Sequence, residues 1–169
     1  MSIATVKKEL NKLDKDQIID LVLELYNKYK PVKEFLEFYV HPDEKAQFDI
    51  YRDKIFYAFY PKRGYTLKLK EAKQAIADFK KLETSNELIA ELMLFYAETG
   101  VMYTIDYGDI DENFYSSIEK TYCQALDLMK KEKLLNKFEK RTYKVVSDTY
   151  GMGWSFHDNL DDLYSSFYS

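Results

Sequence analysis

Apolar residues recur three and four positions apart along most of this chain, the spacing that lines one face of an α-helix. Val6, Leu10 and Leu13 predict a short first helix from Thr5 to about Leu13. Asp14, with Gln17 three residues on, carries the signature of a capping box. Behind it, Ile18, Leu21, Val22, Leu25, Tyr26 and Tyr29 mark a second helix. Pro31 falls just inside a third, where a missing N–H costs nothing, and Phe35, Leu36 and Tyr39 are its predicted apolar face. His41-Pro42-Asp43-Glu44 reads as a break and restart. A fourth helix is predicted from Glu44 to Phe59, with Phe48, Tyr51, Ile55 and Phe59 on one side and Pro61-Lys62-Arg63-Gly64 ending it.

A fifth helix should run from Leu67 or Leu69 to Leu82, turning Ala72, Ala75, Ile76 and Phe79 inward. Ser85 is the predicted cap of a long segment that is apolar almost all round: Leu88, Ile89, Leu92, Met93, Leu94, Phe95, Tyr96, Val101 and Met102. A helix apolar on every side is expected to be buried on every side, which makes residues 86–105 the predicted middle of the fold. Asp111 is placed to cap a seventh helix to about Lys131, carrying Tyr115, Ile118, Tyr122, Ala125, Leu126 and Met129. The eighth holds Leu135, Phe138, Thr142, Val145, Val146 and Thr149, and Gly151-Met152-Gly153 ends it. The ninth, from about Phe156 to Phe167, sets Leu160, Leu163, Tyr164 and Phe167 on one face.

The nearest approach to a strand is Tyr65-Thr66-Leu67-Lys68-Leu69-Lys70, which reads equally as an extended lead-in. The predicted fold is therefore all-α, about nine helices in antiparallel hairpins, because short connections favour antiparallel neighbours. An irregular bundle and a short right-handed helix-hairpin stack both satisfy the pattern. Ser116 to Leu128 resembles the second helix of a tetratricopeptide unit, but no repeat of about 34 residues carries it elsewhere. Residues 1–169 are expected to form a single helical domain.

Composition adds constraints. At 169 residues, 46% apolar and 32% charged, the chain is long enough to bury its own core and is neither disordered nor membrane-like in mixture. The apolar run from Leu92 to Ile105 is broken by Glu98 and stops short of the ~20 residues of a membrane span, so no span is predicted. No secretory signal is legible at the N-terminus, and the lone Cys123 has no disulfide partner; an inert thiol and a cytoplasmic location are expected. Charge is uneven: residues 1–83 carry 17 Lys/Arg against 14 Asp/Glu, residues 84–169 carry 8 against 15. Sixteen tyrosines exceed what a helical core needs, and tyrosine, with an apolar body and polar tip, suits half-buried seams and interfaces. Drift in a tyrosine-rich proteome is the ordinary alternative.

Chemistry-bearing residues concentrate in Gly151-Met152-Gly153-Trp154-Ser155-Phe156-His157-Asp158, which holds two glycines, the sole tryptophan and one of two histidines. Trp154 offers a flat wall, His157 proton exchange near neutrality and Asp158 a carboxylate partner. The competing reading is structural: Ser155 or Asp158 caps a helix and Trp154 plugs the end of a helical core. His157 and Asp161 have metal-ligand spacing, yet only His41 can add a second imidazole, so no metal or cofactor is predicted. Tyr107 and Asp109, in the turn Tyr107-Gly108-Asp109, complete the candidate set. Residues 61–81 carry seven Lys/Arg against Glu71 and Asp78; with Tyr60, Tyr65 and Phe79 nearby they suit a nucleic-acid backbone, but an acidic protein argues against that partner and a solvated helix face explains them. The carboxylates Asp106, Asp109 and Asp111 around the central turn, and Asp158, Asp161 and Asp162 near the end, suit acid–base work only where one of a pair is desolvated. No phosphate-binding glycine loop, nucleophile elbow or His-Glu-x-x-His occurs, and no catalytic residue is assigned.

Leu10-Asn11-Lys12-Leu13-Asp14-Lys15-Asp16-Gln17-Ile18-Ile19-Asp20-Leu21-Val22, Pro31-Val32-Lys33-Glu34-Phe35-Leu36, Tyr107-Gly108-Asp109 and Gly153-Trp154-Ser155-Phe156-His157-Asp158 together resemble an uncharacterised family of small all-helical bacterial proteins, a domain of unknown function. The resemblance implies an all-helical fold and a bacterial cytoplasmic origin, with no activity to transfer. The leading expectation is a non-enzymatic interaction module that takes a protein or peptide in an aromatic-lined groove between hairpins, with self-association into a homo-oligomer as a variant. The alternatives are a small-molecule or nucleotide-processing enzyme centred on Gly151 to Asp158, and nucleic-acid binding through residues 61–81.

Overall fold

A computed structural model describes residues 1–168, and all regular structure among them is helical. The helices are α1 (Ile3–Leu10), α2 (Lys15–Lys28), α3 (Lys30–Val40), α4 (Glu44–Phe59), α5 (Leu69–Lys80), α6 (Asn86–Tyr107), α7 (Glu112–Lys131), α8 (Leu135–Ser147) and α9 (Phe156–Tyr168). They group into two compact units, one ending at Asp43 and the other starting at Glu44.

In the first unit, the capping box forms as the sequence predicts. Gln17 N–H donates to Asp14 Oδ1 at 2.8 Å, while Asp14 N–H reaches Gln17 Oε1 at 3.0 Å. α2 and α3 pack as a hairpin, tied by Tyr26 Oη donating to Glu37 at 2.9 Å. The predicted apolar face of α3 needs correction: Phe38 is the residue buried, Leu36 is half-buried, and Tyr39 is 75% exposed. A short helix with apolar residues at 35, 36, 38 and 39 admits several stripes, and packing against α2 selects among them.

The second unit consists of three hairpins, α4–α5, α6–α7 and α8–α9. At one end Glu44 accepts the Ser85 N–H at 2.9 Å; at the other, Tyr60 donates to Asp106 at 2.7 Å. α4 and α6 therefore run in the same direction. α8 follows suit, with Lys137 bonded to Glu87 near the start of α6 and Arg141 to Glu91 and Glu98 further on. α5, α7 and α9 return antiparallel to their partners: Phe79 near the end of α5 meets Phe48 and Tyr51 near the start of α4, and Tyr168 at the end of α9 bonds to Leu135 at the start of α8. The all-α prediction is met by nine helices among the described residues.

The predicted inward faces of α4, α5 and α7 are buried at every named residue. Asp111 caps α7 through Phe114 N–H at 2.8 Å. Ser85 sits at the N-cap of α6 but its side chain caps nothing, and Glu44 satisfies its N–H instead. Tyr65 to Lys68 forms an extended lead-in rather than a strand, anchored where Lys68 N–H meets Ala58 O at 2.9 Å.

At 22 residues, α6 is longer than its apolar run suggests and has the length and mean hydropathy, 1.3, of a membrane span. In this fold α4, α5, α7 and α8 pack on it, and 67% of its most apolar window is buried. Burial is not complete all round as predicted. Met102, Ile105 and Tyr107 emerge in its last turns. Gly100 lets α7 approach so closely that a Cβ there would lie 2.3 Å from Ile118 Cδ1.

Candidate functional site

Two neighbouring features of the second unit gather the residues with chemical potential. The first is a hollow of about 370 Å³ at the C-terminal ends of α4 and α6, lined by Phe59, Tyr60, Pro61, Gly64, Tyr65, Tyr103 and Tyr107. Helix periodicity builds one wall, because Tyr103 and Tyr107 are one turn apart on α6 and their rings meet with centroids 4.6 Å apart. Tyr60, just past α4, packs on both at 5.5 and 6.1 Å. Phe59 closes the floor against Tyr96, Tyr103 and Phe114. The Pro61–Gly64 turn carries Tyr65 across the mouth, 93% exposed, while Tyr107 is 59% exposed.

Electrostatics here favour neutral phenols beside a carboxylate. Burial and the hydrogen bond to Asp106 push Tyr60 well above the usual tyrosine range, and burial followed by the neighbouring Tyr107 raises Tyr103. Tyr60 therefore stays protonated and donates to Asp106.

The second feature is a junction between the turn after α6 and the loop before α9. Asp109 Oδ1 accepts from Tyr115 Oη at 2.7 Å and from the Gly153 N–H at 3.4 Å. A Cβ at position 153 would fall 2.8 Å from Asp109 Oδ2, so a larger residue there would have to displace that carboxylate. Tyr115 in turn packs its ring, tilted by 34°, against Phe156, centroids 4.4 Å apart. Trp154 and Ser155 follow in the left-handed region at φ +61° and +54°, a conformation that costs non-glycine residues on the order of 1 kcal/mol each.

The predicted candidates therefore divide. Tyr107 joins the hollow and Asp109 joins the junction, whose partner segment is the predicted Gly151–Asp158. Trp154 is 58% exposed and does not plug the core; Phe156, fully buried, fills that place. The left-handed backbone turns the chain between the two residues, so adjacency in sequence does not translate into shared burial. His157 Nδ1 lies 3.2 Å from Val146 O and 3.1 Å from Thr149 Oγ1. Thr149 itself donates to Val146 O at 2.6 Å. A carbonyl can only accept, so the contact to Val146 makes Nδ1 the protonated nitrogen. Asp158 is exposed. Five hollows, including the tyrosine-lined one, have linings that contain none of Trp154, His157 and Asp158.

Cys123 is half-buried, and burial together with Asp127 pushes its thiol up. Among the described residues no group of three or more His, Cys, Asp or Glu is arranged to hold a metal. In the basic segment, Lys62 Nζ sits 4.1 Å from the Tyr57 ring, Lys68 pairs with Glu71 and Lys81 with Asp78.

Tyr103 is the site residue that the sequence reading did not name, while Tyr60 enters it only as an aromatic beside the basic segment and Asp106 only as one of the carboxylates around the central turn. The spacing of Tyr103 and Tyr107 was the legible signal. Tyr60 joins them from far along the chain, and nothing local announces that. No curated protein and no solved structure matches the chain. The sequence profile of DUF6155, a family of unknown function, matches residues 1–168, and the chain belongs to that family.

Proposed function

We propose that this protein is a helical interaction module that takes a protein or peptide segment in the tyrosine-lined hollow between the ends of α4 and α6. The observation that carries the reading is the concentration of Tyr60, Tyr65, Tyr103 and Tyr107 around one concave site, with Tyr65 and Tyr107 largely exposed. Tyrosine is enriched in protein interfaces because it brings a large, stiff contact surface and a hydroxyl at little conformational cost. A phenol pair left open to water in a helical fold loses apolar burial that a partner would restore.

An enzymatic reading centred on His157 has less support, because the five hollows described above have linings that contain none of Trp154, His157 and Asp158. Nucleic-acid binding through residues 61–81 is weakened by the internal engagement of Lys62, Lys68 and Lys81.

The test is selection of random linear peptides displayed on phage, with a Tyr65→Ala/Tyr107→Ala double variant as counter-target. Both residues are exposed, so the variant should keep its circular-dichroism melt. Peptides retained by the native protein and lost on the variant support the reading. Failure to enrich any peptide, or equal retention by both proteins, overturns it.

A further inference from the structure

Resting on the interaction reading above, we propose that the tyrosine hollow is selective for a cationic side chain, so that the segment it takes presents an arginine or lysine to Tyr103 and Tyr107.

Three independent features of charge point the same way. The hollow sits where two helices end. α4 and α6 run in the same direction and both finish here, and the C-terminal end of a helix carries a partial negative charge that attracts cations. Asp106 is exposed and bonded to Tyr60, which lines the hollow; a carboxylate has acceptor capacity beyond that one bond. The chain from Thr104 to Glu119 then adds Asp109, Asp111, Glu112 and Glu119 with no Lys or Arg.

Local cations do not offset this. In the turn between α4 and α5, Gly64 and Tyr65 line the tyrosine hollow, whereas Lys62 and Arg63 line the adjoining hollow between α4 and α5. The fold also shows the chemistry in its own side chains nearby: Lys62 Nζ lies 4.1 Å from the Tyr57 ring centre, and Lys54 Nζ lies 3.8 Å from that of Tyr51. A cation over a phenol ring is attracted by the ring quadrupole, more strongly when water is excluded. An arginine entering the hollow can lay its planar guanidinium on Tyr103 or Tyr107 while donating to Asp106. An anionic segment meets the carboxylate and both helix ends with no compensating cation in the lining.

The experiment uses the peptides that the hollow selects. Each basic residue is replaced in turn by a neutral isostere, citrulline for arginine or norleucine for lysine, and affinities are measured calorimetrically against the native protein and Asp106→Asn. The amide of that variant keeps an acceptor for the Tyr60 hydroxyl, and its melt serves as the folding control. The expected result is one basic position whose neutralisation weakens binding at least about ten-fold, with that loss sharply reduced on Asp106→Asn. Selected peptides that carry no basic residue, or that tolerate neutralisation at every position, overturn the cation inference while leaving the interaction reading intact. If no hollow-dependent peptide emerges, both fall.

Discussion

Gly100→Ala is the sharpest test of how the second unit is assembled. Inside an exposed helix the substitution would stabilise by about 1 kcal/mol, because alanine has less backbone entropy to lose. Here the added Cβ would lie 2.3 Å from Ile118 Cδ1 and 2.8 Å from Ile118 Cγ1. Rotating the terminal bond moves only the first of these atoms, and Ile118 is fully buried with no open space to enter. The overlap must be relieved by a new χ1 rotamer or by separating α6 from α7, at a cost at the upper end of the roughly 1–3 kcal/mol typical of overpacking. The net expectation is a loss of about 1–2 kcal/mol, or roughly 3–6 °C in Tm. Thermal melts followed by circular dichroism read it directly. The decisive arm is the background Ile118→Ala, which removes both clashing atoms. There the alanine at 100 should partly fill the vacated space and recover about 1 kcal/mol. If Gly100→Ala stabilises the otherwise native protein, or if its effect is the same in both backgrounds, the close α6–α7 approach is wrong.

Asp109→Ala removes the acceptor of the Tyr115 hydroxyl and of the Gly153 N–H; a loss of about 1–2 kcal/mol is expected in chemical denaturation, and faster proteolytic cleavage near Gly151–Ser155, whereas Asp109→Asn should lose less. Tyr96, Tyr115 and Tyr122 are buried, and burial raises all three above the ordinary tyrosine value. In the folded state they hold their protons more tightly than in the unfolded chain, so their contribution to stability is full below about pH 10 and is lost as pH rises beyond it; phenolate absorbance should show exposed tyrosines titrating first and these three only with unfolding. Trp154→Gly relieves a left-handed residue and gives up an indole that is 58% exposed. It should change stability by less than about 1 kcal/mol. Phe156→Ala, at a fully buried ring, should cost about 3–5 kcal/mol; equal losses in the two variants would mean that Trp154 is the plug after all.

The legible parts of the fold share a property: each is settled within one helix. Asp14 with Gln17, and Asp111 with the N–H of Phe114, are capping contacts three residues apart, so the sequence contains both partners. The same holds for the faces of α5 and α7, where one dominant stripe leaves a single way to bury the apolar side chains. Where a segment offers more than one stripe, as Phe35, Leu36, Phe38 and Tyr39 do in α3, the sequence underdetermines the outcome. The candidate site follows the same division. Tyr107 and Asp109 could be picked out from the turn that contains them, and Gly151–Asp158 from its unusual composition.

The hydrophobic rhythm and its polar punctuation thus determined the nine helices of the described residues, most of their bounds and the central place of α6, because backbone hydrogen bonding and side-chain period act over a turn or two. Tertiary structure decided which residues became sites. Tyr60 meets Asp106 across 46 positions, Asp109 meets Gly153 across 44, and Phe156 rather than Trp154 enters the core. Each outcome depends on which helix covers which surface and where two helices end together, and those are properties of packing between elements that no local pattern records.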